Sequence, residues 1–191
     1  MNWESNQLVG GHPILDFVNT VGDESKNRSI EWLPDWLAFR SWAACASVAL
    51  LSLIDAVPRT ERDVLLKSLI QYREEIYGCL VKISQSETHL SIPVHLMSRI
   101  QGAFRRSELT ASGGRKGMRW EPSSDPGQRV IDTFSIYLED LCRHGDIQKV
   151  KQCKRCTWLF INRGRGRGRQ WCSMSTCGNR AKAQKFRENH P

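Results

Sequence analysis

Acidic residues are almost missing from the last part of this chain: from Lys149 to Pro191 there is one, Glu188, against twelve lysines and arginines. Long apolar runs are missing altogether. The longest, Trp42 to Ile54, falls short of the roughly 20 residues that cross a bilayer, which excludes a membrane helix. The opening segment MNWESNQLVGGHPILDF has no basic region followed by an apolar core and a small-residue cleavage site, so no secretory signal is expected and the protein is placed in the cytoplasm. No phosphate-cradling glycine motif precedes a helix. His12, His89, His95 and His144 are scattered, and Asp16 has no obvious base partner. These absences argue against an enzyme. With 40% apolar and 25% charged residues the composition is nevertheless that of a folded protein. Its 191 residues suffice for one domain of about 150 residues and a small appended module.

Of seven cysteines, four are paired: Cys153 and Cys156 in CKRC, then, after fifteen residues, Cys172 and Cys177 in CSMSTC. Each short pair offers two thiolates from one turn or helix start, and the intervening loop brings the pairs together, which is the spacing of tetrahedral zinc. Four thiolates fill the coordination sphere and leave no place for water or substrate, so the one Zn2+ expected here is structural. The alternatives are two disulfides or four unrelated buried thiols. Cys45, Cys79 and Cys142 sit among apolar residues and read as reduced core thiols.

The excess positive charge lies on the same segment as these cysteines. Twelve basic residues against one acid give residues 149–191 a charge of +11; sixteen against nineteen give residues 1–148 a charge of −3, for a net +8. Such segregation is the footprint of a polyanion binder, because each neutralised phosphate releases condensed counterions. A solvated basic tail is the alternative. The candidate nucleic-acid contacts are Arg163, Arg165, Arg167 and Arg169, in an Arg–Gly alternation, and Arg180, Lys182, Lys185 and Arg187 beyond the last cysteine.

The fold class expected is mainly α, α+β overall: a helical domain with a small β-hairpin over residues 1–147, then a four-cysteine module ending in a helix over 148–191. Gly10-Gly11-His12-Pro13 signals a turn before the short apolar stretch Ile14 to Thr20. Pro34-Asp35 starts a helix, proline being tolerated in a first turn, in which Trp36, Leu37, Phe39, Trp42 and Ala43 share helical spacing, and a second helix follows from Val48 to Ile54. Thr60 reads as the N-cap of a long amphipathic helix with Val64, Leu65, Leu69, Tyr72, Ile76, Leu80 and Ile83 on its buried stripe. Pro93 to Glu108 forms another helix. Turns at Ser112-Gly113-Gly114 and Gly117 join Leu109–Ala111 to Met118–Trp120 as a hairpin. Asp125-Pro126 opens the last helix of the domain, which ends at Gly145. In the module, Cys153–Cys156 is a knuckle, Trp158 to Ile161 a β-like segment with its own small core, Arg163 to Arg169 a flexible loop, and Ser173 or Ser175 the cap of a final helix reaching Glu188. Apolar content this low makes the module dependent on metal.

Trp158-Leu159-Phe160, Trp171-Cys172-Ser173-Met174 and Cys177-Gly178-Asn179-Arg180, followed by Ala181 and Lys182, resemble the CGNR zinc-finger family of bacterial proteins. Leu15-Asp16-Phe17-Val18-Asn19-Thr20 is similar to the opening of the ABATE-type domain that precedes this finger. The first cysteine pair is tighter than in many members and the connecting loop richer in glycine, but no ligand is lost. The resemblance implies a zinc-dependent, DNA-binding regulator of transcription in the stress response. DNA is favoured over RNA as the partner; an RNA-binding protein or a thiol-redox sensor using the same module is the alternative. The N-terminal domain is expected to sense a small-molecule effector or to form a homodimer. His12, Asp16 and Asn19 either line its pocket or serve as turn and buried hydrogen-bonding residues. Asn179 either reads an adenine edge or bonds nearby backbone. Arg180 either contacts nucleic acid or stacks on Trp171 or Trp158.

Overall fold

A computed structural model of the chain describes residues 3–4, 7–22, 26–85, 91–111, 118–164 and 168–190. The turn residues Ser112, Gly113, Gly114 and Gly117, the loop arginines Arg165 and Arg167, and His89 lie outside them. The described residues form seven α-helices and three two-stranded antiparallel ribbons. Helix α1 (Pro13–Val18) is followed by strands β1 (Val21–Gly22) and β2 (Ile30–Glu31), which pair with each other. Helices α2 (Trp36–Ala46), α3 (Val48–Asp55), α4 (Arg62–Gln85) and α5 (Val94–Arg105) come next. The ribbon of β3 (Ser107–Ala111) and β4 (Met118–Pro122) leads into α6 (Pro126–Arg143). A last ribbon, β5 (Val150–Gln152) with β6 (Leu159–Ile161), precedes α7 (Asn179–Asn189). No helix among the described residues is long and apolar enough to cross a membrane.

Local chemistry sets most of these boundaries. Asp35 caps α2 by accepting from the Ala38 N–H, Asp125 caps α6 by accepting from that of Gln128, and Gly145 ends the α6 region with φ +71°, a conformation open to glycine at little steric cost. Helix α1 is short, but Pro13 occupies its first turn and His12 caps it through Nδ1, so a fixed φ and a satisfied N–H offset its length. The expected cap at Thr60 is not formed: Arg59–Glu61 is a 3₁₀ turn and α4 starts at Arg62. On α4, Leu65, Leu69, Tyr72, Ile76 and Leu80 are buried as the spacing predicts, whereas Val64, and Leu37 on α2, face solvent. The stripe is narrower than the apolar count suggested.

The core lies where α1, α2, α4 and α6 meet. Phe17 stacks on Phe134 at 4.1 Å between centroids, with Phe39 and Trp42 beside them. The two charged side chains buried among the described residues, Asp132 and Arg73, are paired. Asp132 receives Arg106 at 2.6 and 2.9 Å together with Ser124 and Gln128; burial opposes its ionisation, but these hydrogen bonds prevail and hold the carboxyl below its usual range. Arg73, buried on α4, grips Glu31, Glu74 and Thr20, which fixes the β1–β2 ribbon to the helices. Burial pushes the Cys142 thiol up to about 12 and that of Cys79 in the same direction, as suits reduced core cysteines.

The β5–β6 ribbon departs from expectation. It was expected to carry a core of its own, but Val150, Leu159 and Ile161 belong to the large helical core, and only Phe160, on the opposite face, packs with the four paired cysteines. Alternation along a strand explains the division: one face of β6 completes the N-terminal domain and the other roofs the sulfurs.

Candidate zinc centre and basic surface

The four sulfurs converge. Cys153, Cys156, Cys172 and Cys177 are all buried, and their Sγ atoms lie within 4.8 Å of one another. Cys156 is 3.7 Å from Cys172, Cys172 is 3.5 Å from Cys177, and Cys177 is 3.6 Å from Cys156. Four sulfurs held tetrahedrally at Zn–S distances of about 2.3 Å stand about 3.8 Å apart, so the donor set and its dimensions fit one zinc ion. All seven cysteines are free thiols. The knuckle is shaped for a metal: the Arg155 N–H donates to the Cys153 Sγ at 3.4 Å, and the Cys153 N–H donates to the Trp158 carbonyl at 2.9 Å. Bonds from the neighbouring thiols hold the Cys153 thiol well below its usual range, while bonds to Cys153 and Cys156 push that of Cys172 well above it. A divalent cation ends this competition for protons by letting all four ionise.

The last ligand, Cys177, sits on a π-turn, Met174–Gly178, closed by the Gly178 N–H to the Ser173 carbonyl at 3.0 Å, with Cys172 just before it. Ser173 makes no side-chain cap; its hydroxyl meets that of Ser175 instead. A Cβ at Gly178 would lie 2.7 Å from the Met174 Sδ and 3.2 Å from the Trp171 Cδ1, which explains a glycine after the last ligand. The amide of Asn179 donates to the Ser175 carbonyl at 3.2 Å, taking the backbone role. From here α7 runs with no buried residue.

The eight candidate cations differ in their surroundings. Arg163 pairs with Asp146 at 3.1 Å. Arg169 lies 4.1 Å over the Phe160 ring and donates to the Val9 carbonyl at 2.9 Å, so it packs against the module rather than projecting from it. Arg165 and Arg167 lie outside the described residues. Arg180, Lys182, Lys185 and Arg187 are exposed on α7, and among the described residues no ion pair engages them. At 100° per residue Lys182 and Lys185 share one side of the helix and Arg180 and Arg187 nearly the opposite one. Among the described residues no ring contact holds Arg180. Gln184 on α7 accepts from Arg155 of the knuckle, linking the helix back to the metal turn.

Of the three candidate pocket residues, His12 lines a cavity of about 830 Å³ with Tyr137 and Asp140, which Asp16 and Asn19 do not line. His12 accepts from the Ile14 N–H through Nδ1, so its Nε2–H donates to Asp140 at 3.0 Å. Asp16 accepts from the Gly10 N–H at 2.8 Å, and burial pushes its carboxyl up to about 6 against that bond. Asn19, also buried, clamps one residue of β6: its Nδ2 donates to the Leu159 carbonyl at 2.8 Å and its Oδ1 accepts from the Leu159 N–H at 2.9 Å. Beside it the Ile161 N–H donates to Gly10, and the Trp158 Nε1 donates to Val21 at 2.8 Å. The free edge of β6 is thus paired by the segment Gly10 to Val21. Sequence reasoning missed this seam: Asp16 and Asn19 read as pocket or buried hydrogen-bonding residues, with no local sign that β6 would be a partner.

A family model named ABATE and described as "Putative stress-induced transcription regulator" matches residues 11–140. The chain belongs to this family. The model of the CGNR zinc finger matches residues 149–190. The ABATE segment therefore contains the clamp residues Asp16 and Asn19, and the CGNR segment holds the four sulfurs, β5, β6 and α7. Neither description is that of an enzyme. No curated protein matches the chain.

Proposed function

We propose that this ABATE protein is a transcription regulator that binds DNA through its zinc module, with the N-terminal domain sensing an effector or joining two copies. The observation that carries the proposal is the placement of charge. Residues 149–191 hold all of the excess, +11, and among the described residues no ion pair engages the four cations of α7, a helix that buries no residue. An eleven-residue helix of this kind is marginal by itself. It gains a fixed start from the π-turn that carries Cys177, and zinc at the sulfurs would therefore set the direction in which its cations project. With two opposed pairs, one side of α7 can enter a groove while the other pair and Arg163, released from an exposed ion pair of little strength, contact backbone phosphates. Residues Arg165 and Arg167 would extend that contact.

The test is the salt dependence of binding to duplex DNA. Five phosphate contacts, from the Arg180–Arg187 pair with Arg163, Arg165 and Arg167, give a log–log slope of about −4.5. Replacing Arg180, Lys182, Lys185 and Arg187 with glutamine should flatten it by about 1.8, the two phosphate contacts of that pair at about 0.9 each. A flat response in the unaltered protein refutes polyanion binding. Stronger competition by single-stranded RNA than by duplex DNA would transfer the reading to RNA, the partner that the Arg–Gly alternation would suit. Burial of all four sulfurs speaks against oxidation as the primary signal.

A further inference from the structure

A cavity of about 380 Å³ lies between the zinc module and the N-terminal strands, within the size range of small-molecule sites. One wall is aromatic. Trp32 and Trp158 meet edge to face at 5.4 Å, and both are held in place. The Trp158 indole donates to Val21. Trp32 can lie against β1 because residue 22 is glycine: a Cβ there would stand 2.5 Å from its Nε1. The other wall is the π-turn, with the hydroxyls of Ser175 and Thr176 and, beyond it, the guanidinium of Arg180. None of the described residues that line the cavity is acidic. Three of the zinc-site cysteines close its back, and a zinc tetrathiolate carries net negative charge. An anionic group is therefore favoured at Arg180 and disfavoured deeper in, so the occupant that fits is a flat apolar ring with one acid at its edge.

We propose that this cavity binds a small aromatic monocarboxylate, its ring against the Trp32–Trp158 pair and its carboxylate on Arg180 with the turn hydroxyls. Resting on the nucleic-acid reading above, a second consequence follows: the occupant withdraws Arg180 from phosphate, so effector and nucleic acid compete for one cation. By reciprocity, nucleic acid weakens the acid to the same degree.

The experiment uses the zinc-loaded full chain and calorimetric titration with benzoate and indole-3-carboxylate, against benzamide and acetate as probes lacking the charge or the ring. Saturable binding of the aromatic acids is expected, with benzamide weaker by about tenfold, the scale of one charge-assisted contact, and acetate weaker by about tenfold or more through loss of the buried ring. R180Q should lose about tenfold for the acids and nothing for benzamide. Arg180 is exposed, so the zinc content and helix signal of R180Q should match the parent's, and zinc-loaded W32L, altered in the other wall, should lose the acids as well. Absence of saturable binding by either acid, or acid binding indifferent to R180Q, overturns the site. In a second arm, saturating acid should flatten the DNA salt slope by about 0.9, one phosphate contact, and R180Q should show the flattened slope with no response to acid. An unchanged slope with bound acid overturns the competition. Failure of the chain to bind DNA leaves the calorimetry intact and so refutes the nucleic-acid reading separately.

Discussion

Replacing Asn19 with alanine should loosen the zinc module from the helical domain. Asn19 is 2% exposed and provides both partners of the Leu159 backbone, at 2.8 and 2.9 Å, on the edge of β6 that β5 does not occupy. The ribbon pairs Lys151 with Phe160, and Leu159 and Ile161 turn their N–H groups the other way, to Asn19 and Gly10. Alanine leaves one buried N–H and one buried carbonyl unpaired. At about 1–3 kcal/mol for each such group, the loss is about 2–6 kcal/mol, a large share of the 5–15 kcal/mol typical of a folded domain. Leu159 also belongs to the main core, so the cost should appear in global unfolding and not only in the module. Urea denaturation of the zinc-loaded protein, followed by helix signal and by zinc release to a colorimetric chelator, reads both. The two transitions should move together to lower urea, and zinc should be lost more readily at zero denaturant. A change below about 0.5 kcal/mol, the scale of an ordinary surface substitution, would refute the clamp.

Other perturbations follow from the same geometry. Burial raises the Asp16 carboxyl to about 6, above its unfolded value near 4, so the folded state holds a proton the unfolded state has released; stability should fall as pH rises from about 4 to 6 and then level off. Asp16→Asn, which keeps an acceptor for the Gly10 N–H, should abolish that fall in thermal midpoints measured from pH 5 to 7.5. Gly10→Ala would set a Cβ 2.7 Å from that of Leu15 and 2.9 Å from the Asp16 Oδ1, costing about 1–3 kcal/mol by overpacking; a neutral result in chemical denaturation would mean that the turn yields. Cys172→Ser should release the metal and remove the α7 contribution to far-ultraviolet dichroism. Because Val150, Leu159 and Ile161 lie in the main core, metal loss should also lower the midpoint of the helical domain, and an unchanged midpoint would show the two parts to be independent.

Much of this architecture was legible in the sequence wherever a local rule is strong. The helix starts near Asp35 and Asp125, the hairpin of Leu109–Ala111 with Met118–Trp120, the stop at Gly145 and the four convergent cysteines all depend on neighbours close in the chain or on ligand spacing. What escaped depends on distant partners. Strands of two or three residues, as in β1, β2 and β5, have no periodicity to detect. Arg169 looks like its neighbours in an Arg–Gly run, and only the presence of Phe160 and the Val9 carbonyl turns it inward. Asn19 and Asp16 were noticed as polar residues in an apolar stretch, yet nothing local reveals that one would meet β6 and the other the Gly10 N–H. The shared core escaped for the same reason: a three-residue strand with one apolar face on each side can serve two clusters at once.

X-ray absorption at the zinc edge on the purified full chain tests the central claim most directly. One zinc ion per chain, surrounded by a single shell of four sulfurs at about 2.3 Å, is the expected result, and the shell should collapse in Cys172→Ser. A preparation with no zinc, or with nitrogen and oxygen in place of the sulfurs, would contradict it.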